Sequence, residues 1–330
     1  MMNAVEISEP GPNGVLRPTQ IPEPVPGPGE ILIRVEAAGV ARADLLQRLG
    51  KYPQPPGTTN IPGLDVAGTV AATAADAGKW KPGDRVCAIL AGGGYAEFCA
   101  VPALQVLPIP QNWSSVEAAT LPENLFTVFD NVITRAQLQR GETILIHGGS
   151  SGIGSIAIML ARAWGAFPIV TAGSDAKCAA CAALGAEHAI NYKTTDFLSE
   201  VKRLTAGRGV DVILDVVGGS YLEKNINLLA MEGRLVIIGL MGGPKGTLDI
   251  STLLAKRGRV LASHMRARPP ELKGLIAERL LEQVWPLLPA KDPIRPVIDR
   301  VFALSDAALA HEYLESASNI GKVVLEVEKP

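Results

Sequence analysis

Three glycines spaced Gly149-x-x-Gly152-x-Gly154 stand between a short apolar run and a helical stripe, an arrangement that can hold a dinucleotide pyrophosphate. Ile144, Leu145 and Ile146 come first, too brief for a buried helix and right for a parallel strand covered on both faces. Gly148, Gly149, Ser150, Ser151, Gly152 and Gly154 make the turn. Ile153, Ile156, Ala157, Leu160, Ala161 and Trp164 then recur along one face of a helix. Strand, glycine turn and helix put a pyrophosphate on free N–H groups at the helix N-terminus. A side chain at Gly149 or Gly152 would hold the phosphates off those donors, and Gly154 lets the helix pack closely on the strand. The spacing departs from G-x-G-x-x-G, and the alternative is a turn that only joins strand to helix. Its context favours dinucleotide binding through Gly149, Ser151, Gly152, Ile153 and Gly154.

The end of the next strand tells NAD from NADP, because an acid there bonds the ribose 2′-OH and repels a 2′-phosphate. The strand expected over residues 167–171 runs into Ala172, Gly173 and Ser174, with Asp175 two or three places beyond the carboxylate position. Small residues leave room for a phosphate, Ser174 can donate to it and Lys177 adds positive charge, which favours NADPH over NADH. The competing reading makes Ser174 a helix cap and Lys177 a solvated side chain; for Ser174 both can hold. Gly239, Leu240 and Met241 end the apolar strand expected from residue 234 and should line the nicotinamide pocket.

Other reactive residues point elsewhere. Cys178 and Cys181 form a C-x-x-C inside an alanine-rich helical stretch without a second such pair, so incidental core residues are favoured over a zinc or redox site. His147 ends a buried strand and reads as a satisfied core histidine; His188, His264 and His311 lack metal or triad spacing. With 31 Lys+Arg against 33 Asp+Glu, net charge −2, no basic surplus argues for nucleic acid or an anionic membrane. No apolar run is long enough to span a bilayer, and Met1-Met2-Asn3-Ala4-Val5-Glu6 lacks signal-peptide character, so a cytoplasmic protein is expected.

The elements that must position these residues fall into two patterns. Residues 1–122 are β-rich, with strands expected over 31–35, 66–70, 85–89 and 95–101 and a short helix over 41–49. From residue 123 long strand–helix units alternate. A helix over 123–138 is followed by strands over 143–147, 167–171, 188–191, 210–217, 234–240 and 259–263. Right-handed crossovers would arrange them as a doubly wound parallel sheet in the order 3-2-1-4-5-6. After residue 265 come a helix over 271–288, a proline-punctuated segment, a helix over 305–316 and a strand over 322–327. These should return to the first domain, giving domains 1–122, 123–265 and a completing segment 266–330, with an interdomain cleft for the acceptor.

Many ordered motifs carry a resemblance. They include Arg42-Ala43-Asp44-Leu45, Pro55-Pro56-Gly57, Val170-Thr171-Ala172-Gly173-Ser174, Gly218-Gly219-Ser220-Tyr221, Gly239-Leu240-Met241-Gly242-Gly243 and Asn319-Ile320-Gly321-Lys322. Over nearly its whole length the chain resembles the zinc-free NAD(P)H:quinone oxidoreductases of the medium-chain dehydrogenase/reductase superfamily, and most of all their stress-inducible animal subgroup. The resemblance implies an α/β fold, a Rossmann sheet plus a β-rich GroES-like catalytic domain, and a homodimer joined near residues 259–263. It further implies that Tyr192 contacts the 2′-phosphate, that Thr127 lies beside the cofactor, and that Arg266 and Asn319 touch it.

Departures are equally informative. Zinc alcohol dehydrogenases of this superfamily carry G-V-C-x-x-D and G-H-E segments. Here they correspond to Gly39-Val40-Ala41-Arg42-Ala43-Asp44 and Gly63-Leu64-Asp65, the third ligand position falling near Glu123. Alanine and leucine cannot ligate zinc, so no metal is expected. Quinone reductases often carry Asn where Ala41 stands, which alters the pocket polarity. The implied reaction is hydride transfer from NADPH to a quinone, whose conjugation takes up the charge while solvent supplies protons.

Tyr52, Ser151 and Thr127 are the candidate catalytic residues. Tyr52 could stack on the acceptor or bond its developing oxyanion, or could only anchor its loop. Ser151 could touch the nicotinamide end or serve only the turn backbone. Asp44 reads as structural, capping the helix after Ala41. Two alternatives stay open: an enone or enoyl-thioester reductase, with Arg42, Arg48 and Lys51 at a basic entrance, and a non-catalytic NADPH-binding sensor or structural protein.

Overall fold

The computed structural model describes residues 1–12, 14–52, 54–288 and 294–328. Two compact units emerge: one of Met1–Phe126 with Met265–Pro330, the other of Thr127–His264.

The first unit opens with a hairpin of β1 (Met2–Ile7) and β2 (Leu16–Ile21). Then follow β3 (Glu30–Val40), α1 (Arg42–Arg48), β4 (Asp65–Thr73), β5 (Arg85–Ile89), β6 (Phe98–Pro102) and β7 (Val106–Pro108), then α2 (Ser115–Ala118) and the start of α3 (Pro122–Val128), whose last two residues open the second unit. Inward residues such as Ile31, Ile33, Val66, Val70, Val86 and Val101 alternate along these strands and meet in one core.

The α3 helix ends earlier than the apolar pattern suggests. Residues 129–135 continue in π geometry, and the Asn131 side-chain amide donates to the Thr127 carbonyl at 2.8 Å. The expected single helix over 123–138 is thus two different helical segments.

The second unit runs through β8 (Thr143–His147), α4 (Gly152–Ala163), β9 (Phe167–Ala172), α5 (Asp175–Ala183), β10 (His188–Asn191), α6 (Phe197–Leu204) and β11 (Val210–Asp215). It closes with α7 (Leu222–Leu228), β12 (Leu229–Ile237), α8 (Ile250–Ala255) and β13 (Arg259–Ala262). All six strands are parallel and lie in the order β10-β9-β8-β11-β12-β13, the expected 3-2-1-4-5-6. Strand β12 starts five residues before the expected position 234. Glu232 sits at φ 60°, and the pairing with β11 shifts register between Val210 and Val212, which hid the early start.

The chain then returns to the first unit as α9 (Pro270–Gln283), β14 (Ile298–Ala303), α10 (Ala307–Glu315) and β15 (Lys322–Glu326). Strand β15 lies between β14 and β3 in a seven-stranded sheet of order β14-β15-β3-β4-β5-β7, with β6 paired to β3 off that path. The proline-punctuated segment therefore contains an unexpected strand, β14, whose residues 299–301 are exposed and give no apolar signal; residues 289–293 of that segment lie outside the described residues. Among the described residues no helix is long and apolar enough to cross a membrane.

Candidate functional site

In the second unit, Gly148 turns the chain after β8 at φ 73°. The Ser151 hydroxyl then closes the turn twice, donating to the Gly148 carbonyl at 2.8 Å and accepting from the Gly154 N–H at 3.0 Å. Ser151 is the N-cap of α4, and its only hydroxyl proton is engaged within the turn. Gly152 and Ile153 are left as the first-turn residues whose N–H groups have no intrahelical acceptor, the donors an anion requires.

The glycines act somewhat differently from expectation. A Cβ on Gly149 would lie 2.7 Å from Val170 Cβ and 3.1 Å from Cys181 Sγ, so close packing on β9 and α5 demands that glycine, before any phosphate does. A Cβ on Gly154 would meet the Gly148 carbonyl oxygen at 2.3 Å, so the helix packs on the turn backbone itself.

Beside this turn, β9 ends in buried Ala172, followed by Gly173. The Tyr192 hydroxyl lies 2.9 Å from where a Gly173 Cβ would sit, which joins Tyr192 to the end of β9. Ser174 caps α5 by accepting from the Lys177 N–H at 3.3 Å. Asp175 is turned to Asn191, whose amide it accepts at 2.7 Å. No carboxylate therefore stands at Ala172 or Gly173. Gly239, Leu240 and Met241 follow β12 at the same carboxyl end of the sheet, with Leu240 and Met241 exposed. Thr127 is buried, and its carbonyl belongs to the Asn131 bond described above.

A buried network braces this end. His147 Nε2 donates to the Asn225 carbonyl oxygen at 2.8 Å, Nδ1 accepts from the Thr171 hydroxyl at 3.0 Å, and the Asn225 amide donates to Asp215 at 3.1 Å. Burial holds the imidazole neutral, lowering its pKa to about 4. His147 is the core histidine expected, and Cys181 is buried as a small core residue.

The first unit holds a separate polar cluster. Asp44 accepts from the Ala41 N–H at 2.8 Å, which caps α1 as anticipated, and also from the Gly63 N–H at 3.0 Å and the Tyr95 hydroxyl at 3.3 Å. Asp65 takes the Lys322 ammonium at 2.8 Å and the Glu123 N–H at 2.5 Å. Glu123 lies 3.6 Å from the same ammonium. Arg266, buried, donates to the Ala91 carbonyl and to the Gln47 side-chain oxygen, each at 2.7 Å, and its guanidinium lies 5.3 Å from the Tyr52 ring centroid. Burial pushes the Tyr52 phenol up to about 12, with the Glu123 charge adding to the shift, so Tyr52 holds its proton at neutral pH. The Asn319 amide donates to the Gly321 carbonyl at 2.7 Å and shapes the turn into β15.

The sequence-predicted residues thus divide. Gly149, Ser151, Gly152, Ile153 and Gly154 share one turn, and Ser174, Lys177 and Tyr192 surround the end of the neighbouring strand. Tyr52, Arg266 and Asn319 belong to the first unit. Sequence reasoning missed the Asp65–Lys322–Glu123 cluster. Its members are named in the Gly63-Leu64-Asp65 and Asn319-Ile320-Gly321-Lys322 segments, but 257 residues separate Asp65 from Lys322.

Comparisons with known proteins agree with this architecture. The sequence profile of the alcohol dehydrogenase GroES-like domain matches residues 27–111, and that of zinc-binding dehydrogenase matches residues 152–281. A quinone oxidoreductase of Rattus norvegicus is 30% identical, over 98% of this chain and 98% of the relative. The synaptic vesicle membrane protein VAT-1 homolog of Homo sapiens is 32% identical, over 92% of this chain and 80% of the relative. Among solved structures, a mycobacterial protein complexed with NADPH superposes with a TM-score of 0.86 at 31% identity, covering 99% of this chain and all of the other. The CurK enoyl reductase gives 0.84 at 29% identity, covering 99% of each chain.

Proposed function

We propose that this chain, which belongs to the medium-chain dehydrogenase/reductase superfamily, is a zinc-independent NADPH:quinone oxidoreductase of the cytoplasm. The observation that carries the cofactor assignment is Gly173 at the end of β9, with the Tyr192 hydroxyl over it and no acid at that place. The donor set suits a 2′-phosphorylated nucleotide: the Ser174 hydroxyl, the Lys177 ammonium and the Tyr192 phenol supply hydrogen bonds and charge. Gly152 and Ile153 offer N–H groups to the pyrophosphate, and Gly239, Leu240 and Met241 flank the nicotinamide.

Zinc finds no comparable set among the described residues. Ala41 and Leu64 have no ligating atom, and the Lys322 ammonium stands against Asp65 and Glu123 where a cation would compete with it. When bound, NADPH supplies the hydride. The protein's part is to orient the acceptor and exclude water. The Tyr52 ring, backed by the Arg266 guanidinium, stacks on a planar acceptor or bonds its oxygen.

Turnover of 1,2-naphthoquinone by the purified protein under anaerobic conditions tests the reaction. Lys177→Ala is expected to weaken NADPH binding about tenfold, the loss of one charge-assisted contact of about 1.4 kcal/mol, while leaving NADH affinity unchanged. Equal effects on the two cofactors would remove the phosphate assignment. Tight NADPH binding with turnover of enoyl thioesters but not quinones would favour an enoyl reductase, and binding without any turnover a sensor. The β13 strand is an exposed edge, and we expect it to pair with its copy in a homodimer. Light scattering that returns a monomer at working concentration would refute the dimer.

A further inference from the structure

We infer that Glu123 is the proton donor to the reduced acceptor, with Lys322 and Asp65 as its positioning residues. The inference rests on the reductase reading above and adds the acid that the sequence did not reveal.

Charge balance comes first. Three carboxyl groups, on Asp44, Asp65 and Glu123, surround the one ammonium of Lys322, and Asp44 and Asp65 are fully buried. Several carboxylates cannot all stay ionised in such a setting, so one holds a proton. Hydrogen bonds decide which. Asp65 has the ammonium at 2.8 Å and a backbone N–H at 2.5 Å. Asp44 has two backbone N–H groups and the Tyr95 hydroxyl. Among the described residues the Glu123 carboxyl has only the ammonium, at 3.6 Å, which Asp65 already holds more closely. Its anion is the least compensated of the three. Burial, offset in part by Lys322 and reinforced by the Asp65 and Asp44 charges, pushes the Glu123 carboxyl up to about 7.

Access and direction agree with this. The Glu123 side chain is 20% exposed, whereas that of Asp65 is 0% exposed. The groups facing Glu123 are Lys322 from β15, Asp65 from β4, Asp44 from α1 and Tyr52 from the loop after α1. Tyr52 belongs to the same unit, and the Glu123 charge is among the causes that push its phenol up. The two groups divide the work. Tyr52 keeps its proton and orients the acceptor oxygen, and Glu123 gives one up.

Two-electron reduction by the hydride leaves one acceptor oxygen negatively charged. The Glu123 O–H bond breaks as the new acceptor O–H bond forms, giving the hydroquinone or enol and a carboxylate. Water returns a proton to the carboxylate before the next turnover. The Lys322 ammonium favours that transient carboxylate and keeps it in place.

The test is turnover of 1,2-naphthoquinone across a pH series by wild type, Glu123→Gln and Glu123→Ala, with NADPH affinity as the control. Wild-type kcat is expected to fall above an apparent pKa near 7. In Glu123→Gln, kcat should drop about 100-fold with that limb lost and NADPH affinity kept, and formate should restore part of the rate to Glu123→Ala. A Glu123→Gln enzyme with wild-type kcat and the same alkaline limb overturns the role while leaving the reductase reading intact. Should neither variant fold, wild type decides. A solvent deuterium isotope effect of about 2 or more on kcat supports the role, and a value near 1 overturns it. A wild type that reduces no quinone or enone overturns the reductase reading itself, and this role with it.

Discussion

Lys322→Met is expected to cost about 3–5 kcal/mol of stability near neutral pH. The ammonium is buried, its 2.8 Å contact to Asp65 is the closest charge pair of the cluster, and among the described residues Asp65 has no other cation within ion-pair distance. Methionine is one atom shorter than lysine and keeps most of the apolar stem, so the loss comes mainly from charge rather than volume. What remains is a buried Asp65 carboxylate without a counterion, beside the Glu123 carboxyl. Burial already raises the Asp65 carboxyl above its ordinary 3.8, and removing Lys322 raises it further. The sign then follows. The unfolded chain ionises Asp65 near its ordinary value, while the folded variant resists ionisation, so the variant loses stability as pH rises above 3.8. The gap between wild type and variant should be widest at about pH 7–8 and narrow towards about pH 4. Thermal melts of both proteins across that range check it. A gap that does not change with pH would mean that the lysine contributes packing and not charge.

Gly154→Ala is expected to weaken NADPH binding about 100-fold and to lower stability by about 2 kcal/mol. The added carbon would stand 2.3 Å from the Gly148 carbonyl oxygen and 2.6 Å from Gly149 Cα and carbonyl carbon. All three are backbone atoms of the turn, with no flexible side chain to move aside. Overpacking of this kind costs about 1–3 kcal/mol, less up to about 1 kcal/mol that alanine returns by its better helix propensity. The larger consequence is geometric. Relieving the clash shifts the turn against α4, and with it the N–H groups of Gly152 and Ile153. Two charge-assisted bonds at about 1.5 kcal/mol each correspond to roughly 3 kcal/mol, or about 100-fold in affinity. Fluorescence titration with NADPH and a melt of the cofactor-free protein separate the two effects. Unchanged affinity in a folded variant would show that the turn does not hold the cofactor.

Much of the second unit could be read directly from the chain. Its strands are continuous apolar runs because both faces of a parallel sheet are covered, and glycines punctuate them at fixed places. Ile144–Ile146, the turn after it and the strand His188–Asn191 therefore stood out, and the order of the six strands followed from handed crossovers. The first unit was less legible. The β1–β2 hairpin is half exposed and contains Pro18, and β14 turns residues 299–301 to solvent, so neither shows the alternation that marks a strand. The break between α3 and the π segment escaped notice because the apolar pattern continues through it.

By itself the sequence determined the family and the nucleotide fold and marked the glycine turn proposed for the pyrophosphate, because these depend on residues close together in the chain. The same was true of the small residues at the end of β9, on which the proposed 2′-phosphate contact rests. Tertiary structure alone decided which atoms those residues touch. It committed the Ser151 proton to Gly148, made Gly149 a packing glycine against Val170, and laid the Tyr192 hydroxyl over Gly173. It also brought Lys322 from the last strand to Asp65 and Glu123. The charge state of Glu123 follows from that meeting. Proton affinity depends on burial and on neighbouring charges, and those come from how β15 pairs with β3, which residues adjacent in the chain do not reveal.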